Sequence, residues 1–157
     1  MLTGLVFLVG LAFGSFLNVC ICRLPERRSI AWPRSSCPHC GKRLASRDLV
    51  PVLSYLRLGG RCRYCREPIS IQYPIVELAT GLLFAAVVGV HGVSLVSFKY
   101  LVFVSLLIIV AGTDINTRLI PNAVTYPGMA VGLILSLFIP GISFLQSIVG
   151  LLVCGGV

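Results

Sequence analysis

The chain has 157 residues, of which 57% are hydrophobic and 11% charged, with a net charge of +8 and a mean hydropathy of +0.97. A soluble domain of this size cannot bury that much apolar surface, so lipid must solvate most of it. The composition therefore predicts an all-α integral membrane protein and excludes an ordinary soluble enzyme.

A spanning helix needs roughly 20 mostly apolar residues to cross about 30 Å of hydrocarbon. Leu2 to Cys22 is an uncharged run that meets this length. It is not a cleaved signal peptide, because it lacks a basic n-region and runs straight into Arg23 without a small-x-small cleavage site. Ile75 to Val90 is a second apolar segment, with Glu77 near its start and Gln72 and Tyr73 extending it at the interface. Leu95 to Thr113 is a third, with Lys99 close enough to one end to snorkel. Ala123 to Ile139 makes a fourth, and Phe144 to Val157 begins a fifth. At helical rise this last run covers only about 21 Å, so we expect about five transmembrane helices with the last one truncated.

Between Arg23 and Tyr73 lie eleven of the thirteen Lys and Arg residues, against three acids, Glu26, Asp48 and Glu67. An excess of this kind in a short loop marks the cytoplasmic side. The expected topology is multi-pass, with the N-terminus outside and loop 23–73 cytoplasmic. Asp114 to Asn122 would then return to the cytoplasmic face. A basic patch can also bind nucleic acid, but topology already accounts for this one, and no nucleic-acid partner is expected.

The loop carries Cys37-Pro-His-Cys40 and Cys62-Arg-Tyr-Cys65. Two C-x2-C knuckles at this separation resemble a four-thiolate zinc ribbon, in which each turn points two thiolates at one ion and the closed tetrahedron leaves no catalytic position. A loop rich in Arg, Gly, Pro and Ser has little core of its own, and a metal can replace one. Disulfides are the rival pairing and a redox motif a further one. A cytoplasmic location disfavours the first, and the lack of a thioredoxin-like βαβ pattern disfavours the second. With four thiolates available, His39 is expected to face solvent or support the site rather than ligate. Cys20, Cys22 and Cys154 lie in apolar segments and are expected to be small buried hydrophobes. Val50 to Leu56 is the loop's one apolar stretch and should pack on the ribbon or the membrane face, and Gly59-Gly60 should turn the chain toward Cys62.

Only Glu77 and Asp114 are acidic outside the loop, and a carboxylate near lipid costs a few kcal/mol unless it faces protein or water. Glu77 is expected to partner the loop's arginines. Asp114 lies in Ala111-Gly-Thr-Asp-Ile-Asn-Thr-Arg-Leu-Ile-Pro-Asn122, where Gly112 permits close helix packing and Pro121 can open the next helix. It is either a hydrated interfacial residue paired with Arg118 or one half of an aspartyl protease dyad, in which one carboxylate activates water and the other polarises the carbonyl. A partner carboxylate would belong where the fifth helix re-emerges.

Gly14-Ser-Phe-Leu-Asn-Val19, Arg23-Leu-Pro25, the two knuckles, Pro51 to Leu56, Gly59-Gly-Arg-Cys62 and Pro68 to Gly81 occur in order, and together they closely resemble the type IV prepilin peptidase family. That resemblance implies a membrane aspartic peptidase that cleaves the basic leader of prepilins and pseudopilins. It also implies methylation of the new N-terminus with S-adenosylmethionine. Asp114 matches the first catalytic aspartate in the family's D-x5-[IL]-P segment, Gly60 the glycine associated with methyl transfer, and Cys37, Cys40, Cys62 and Cys65 the zinc ligands. The family's second aspartate falls in a Gly-x-Gly-Asp motif that is not reached by Gly155-Gly-Val157, so these residues alone are expected to be inactive as a peptidase. The resemblance divides the chain into a first transmembrane helix (1–22), a four-cysteine metal-binding loop domain (23–73) and the start of the peptidase domain (74–157). A membrane-anchored zinc-ribbon module that docks a partner, with an incidental Asp114, is the non-enzymatic alternative.

Overall fold

The computed structural model describes residues 1–138 and 144–155. It is all-helical: α1 (Leu2–Arg23), α2 (Leu53–Arg57), α3 (Gln72–His91), α4 (Leu95–Thr117), α5 (Asn122–Phe138) and α6 (Phe144–Gly155), with a 3-10 turn at Ser46–Asp48. Three of these, α1, α3 and α4, are long and apolar enough to cross a membrane; α5 and α6 are shorter apolar helices. Ile139, the last residue of the expected fourth span, and residues 156–157 of the fifth lie outside the described residues, as does the side chain of Cys154.

In lipid, apolar side chains gain little by leaving one apolar solvent for another, so helices associate where small residues let backbones approach. Gly10 and Gly14 stand four apart on one face of α1, and both are buried. A Cβ on Gly14 would lie 2.6 Å from the Glu77 Cα, and one on Gly10 would lie 2.7 Å from the Gly81 Cα. The order of these contacts makes α1 and α3 antiparallel. Asn18, one turn beyond Gly14 and 1% exposed, donates from Nδ2 to the Tyr73 carbonyl at 3.0 Å, tying α1 to the first turn of α3.

Gly112 performs the same office for α4. A Cβ there would collide with the Ile21 side chain at 2.5 Å, so the C-terminal ends of α1 and α4 lie together. Leu17, Cys20, Ile21, Val76, Ile109 and Val124 form the core at this end. The buried stripe Gly14, Leu17, Asn18, Ile21 follows helical spacing, and Cys22 falls off it. Cys22 is therefore exposed, its Sγ 3.7 Å from the Tyr73 hydroxyl, which corrects the expectation of a buried thiol there; Cys20 is buried as expected. Pro121 accepts from the Val124 and Thr125 N–H groups and starts α5.

Gly14→Val should force α1 from α3 and cost about 1–3 kcal/mol, as overpacking does. Gly4→Val meets nothing within 4 Å and should be neutral. Thermal unfolding of the two variants in detergent checks the difference.

Candidate metal centre and carboxylate sites

Each knuckle is a small hairpin built alike. Cys37 N–H donates to Lys42 O at 3.0 Å and Gly41 N–H to Cys37 O at 2.9 Å; in the second, Cys62 N–H donates to Glu67 O at 2.8 Å and Arg66 N–H to Cys62 O at 3.0 Å. Single bridges, Ser36 to Arg43 and Arg61 to Pro68, close them. The residue after the second cysteine takes the left-handed conformation in both, Gly41 at φ 68° and Arg66 at φ 63°. Glycine meets that demand without strain, whereas for Arg66 it costs roughly 1 kcal/mol.

The hairpins face each other. The Sγ atoms of Cys37, Cys40, Cys62 and Cys65 all lie within 4.8 Å of one another, and Cys37 Sγ is 3.8 Å from Cys65 Sγ. Zn–S bonds of about 2.3 Å in a tetrahedron place sulfurs about 3.8 Å apart. The four thiols can therefore hold a metal ion such as zinc. The backbone N–H groups of Cys65 and Tyr64 lower the Cys62 thiol pKa to about 6. His39 is exposed.

A partly buried ion pair fixes the second knuckle to the 3-10 turn. Arg63 donates from Nε at 2.8 Å and Nη2 at 2.6 Å to Asp48 Oδ1, with the Asp48 side chain 2% exposed. The hydrogen bond from Arg63 lowers the Asp48 pKa, and backbone hydrogen bonding at Ala45 reinforces the direction. Gly59 and Gly60 turn the chain at φ 60° and 67°, and the Gly60 N–H donates to Tyr55 O. A Cβ on Gly60 would meet the Tyr55 hydroxyl at 2.9 Å, while one on Gly59 meets nothing.

Glu77 departs from its expected role. Among the described residues the ion pairs are Glu26–Arg28 and Asp48–Arg63, and neither involves Glu77. Its Oε2 instead accepts the Val52 N–H at 2.7 Å, and Glu77 is only 6% exposed. Arginine side chains can reach water from the loop, but this carboxylate faces α1 inside the bundle, where the Val52 N–H and the Ser15 hydroxyl are its donors. Val52 holds φ 59°, ψ −50°, and Leu53 N–H bonds Pro51 O. That is a γ-turn of the rare, strained positive-φ form, centred on a β-branched residue and aimed at Glu77.

Asp114 sits inside α4, which runs on to Thr117. Its carboxylate is exposed and makes no ion pair or hydrogen bond among the described residues, so the pairing with Arg118 does not form. Arg118 instead caps the helix at φ 53°, its N–H donating to Asp114 O at 2.8 Å. Because α1 and α4 end together, Asp114 shares its end of the bundle with the loop.

Residues 8–91 match the family model described as Bacterial Peptidase A24 N-terminal domain, and residues 101–157 match the Type IV leader peptidase family. The chain belongs to the type IV prepilin peptidase family. Three relatives, each named prepilin leader peptidase/N-methyltransferase, illustrate the likeness. One from Myxococcus xanthus (strain DK1622) is 47% identical over 83% of this chain and 39% of its own length. One from Bacillus subtilis (strain 168) is 48% identical over 77% of this chain and 49% of its own. One from Klebsiella pneumoniae is 43% identical over 92% of this chain and 66% of its own. The chain thus spans about half the length of the curated relatives it matches. No solved structure matches it.

Gly60→Ala should loosen the knuckle, losing about 1 kcal/mol or more from positive φ and the Tyr55 contact, and should release metal to a chelator sooner than Gly59→Ala. Chelator titration with a colorimetric metal indicator reads the difference. The lowered Asp48 pKa makes its contribution complete above the ordinary carboxylate range and lost as pH falls through the folded value. Loop stability, followed by Trp32 fluorescence, should therefore drop on acidification, and Asp48→Asn should flatten that limb while lowering stability at neutral pH.

Proposed function

We propose that the full-length protein is a membrane aspartic endopeptidase that cleaves the basic leader of type IV prepilins or pseudopilins at the cytoplasmic membrane face, and that it then N-methylates the new N-terminus. The observation that carries this reading is Asp114, an exposed carboxylate in the last turn of α4 with no partner among the described residues. A carboxylate held for structure is expected to be paired; one held for chemistry must be free to meet water, substrate and a second carboxylate.

In that chemistry, an ionised carboxylate takes a proton from the attacking water while its protonated partner holds the scissile carbonyl. Asp114 supplies one of the two. The excess of Lys and Arg in the loop supports a cytoplasmic side for Asp114, with the N-terminus outside, five spans in the bacterial inner membrane, and segments 1–22, 23–73 and 74–157 as first helix, metal-binding domain and start of the peptidase domain. Substrate pilins would approach from that side, with membrane lipid as surroundings and no nucleic acid involved.

Zinc at Cys37, Cys40, Cys62 and Cys65 is structural, since four thiolates close its coordination. When bound, it supplies the loop with the fixed core that its sequence lacks. The methyl-transfer half rests on the names of the relatives, and S-adenosylmethionine as its donor on the family resemblance of the motifs. Gly60, at positive φ with the Tyr55 ring beside it, is the residue that the family resemblance associates with methyl transfer.

The test is leader cleavage of a prepilin by membranes containing the chain extended through its next hairpin. Asp114→Asn should reduce cleavage by at least about 10³-fold, by analogy with removal of an essential member of a catalytic set. Cleavage that survives Asp114→Asn would remove the catalytic assignment.

A further inference from the structure

The loop does not stand clear of the helices; it descends beside them. Val52, held by Glu77, meets α3 five residues past its first residue, Gln72, which is about 7.5 Å inside the helix end at 1.5 Å per residue. On α1 a cleft of about 360 Å³ makes the same point, because Phe16, Val19 and Arg23 line it together with Arg34, Leu44 and Leu49 of the loop. Phe16 precedes the end of α1 at Arg23 by seven residues, or about 10 Å. Two contacts on two helices thus place the segment around α2 at a depth that lipid headgroups and upper acyl chains would occupy if α1 and α3 span the membrane.

At that depth α2 turns apolar groups outward. Leu53 is 66% and Leu56 67% exposed, and Leu49 and Val50 before them are 41% exposed each. Arg47 and Arg57, exposed at either end of the segment, match the height of lipid phosphates. We propose that Leu49 to Leu56 is an interfacial anchor, with Leu53 and Leu56 inserted at the glycerol–acyl boundary of the bilayer. Interfacial helices bury their apolar face about 5–10 Å into that boundary, which agrees with the depth fixed by Glu77. A protein partner at the same surface would first have to displace the lipid that surrounds the neighbouring exposed side chains Phe16 and Ile75.

This inference rests on α1 and α3 spanning the membrane, and the experiment separates the two. With the native tryptophan removed by Trp32→Phe, single probes are introduced as Leu53→Trp, Leu56→Trp and, at the middle of α3, Leu82→Trp. Leu82 is 61% exposed, so none of the three positions is in the packed core. The chain is reconstituted in phosphatidylcholine vesicles whose acyl chains are brominated either near the glycerol end or near the methyl end. Probes 53 and 56 should emit at short wavelength and lose most of their emission to the shallow bromines, and probe 82 should be quenched more by the deep ones. Probes 53 and 56 emitting as in water, unquenched while probe 82 is quenched, would overturn the anchor and leave the span intact. Stronger quenching of 53 and 56 by the deep bromines would overturn the interfacial depth, and failure at all three positions would overturn span and anchor together.

Discussion

One hydrogen bond, from the Val52 N–H to the Glu77 carboxylate, decides how the two halves of this molecule are joined. Glu77 lies against Gly14 at the closest approach of α1 and α3, so it can neither leave the bundle nor reach water freely. An acid in such a place costs several kcal/mol without a donor. The loop supplies one by turning tightly at Pro51–Leu53. Strain in that turn and burial of that carboxylate are both unfavourable, and the hydrogen bond that forms when the loop is seated offsets part of both costs.

From that seat the rest of the loop is positioned by short-range devices. The Gly59–Gly60 turn leads α2 into the second knuckle, Arg63 carries that knuckle to Asp48, and the four thiols then converge from two hairpins with matched hydrogen bonds. Metal binding would lock a geometry that the backbone already approaches, since the Cys37–Cys65 separation agrees with a tetrahedral edge. At the same end of the bundle, Gly112 on Ile21 holds α4 so that Asp114 projects beside the loop. The proposed peptidase reading thus has a physical frame: four thiols that can hold one metal ion organise the loop, while the exposed carboxylate is left at the end of the bundle.

Much of this was legible in the sequence, and the limits have physical causes. Apolar runs marked the helices because length and hydropathy are local properties, and the knuckles were legible because ligand spacing is local too. The helix containing Asp114 extends past Thr113, beyond where hydropathy stops, because a polar last turn at the interface still satisfies helical hydrogen bonds. Charge sign pointed Glu77 toward arginines, but its real partner is a backbone N–H 25 residues away, which carries no compositional mark. Asp48 with Arg63 was hidden among many loop arginines for the same reason. The Gly10-x3-Gly14 spacing was a readable signal of close helix packing that hydropathy alone passes over.

The most direct measurement of the joint is amide hydrogen exchange at Val52 in the parent, Glu77→Gln and Glu77→Ala, read with metal content in the same samples. If the carboxylate holds the loop, Val52 exchanges slowly in the parent. Glu77→Gln keeps an acceptor and should retain part of that protection, while Glu77→Ala should lose it, with faster exchange spreading through Leu53–Arg57 while the metal stays bound. Equal exchange at Val52 in all three proteins would contradict the account and leave the loop positioned by its metal site alone.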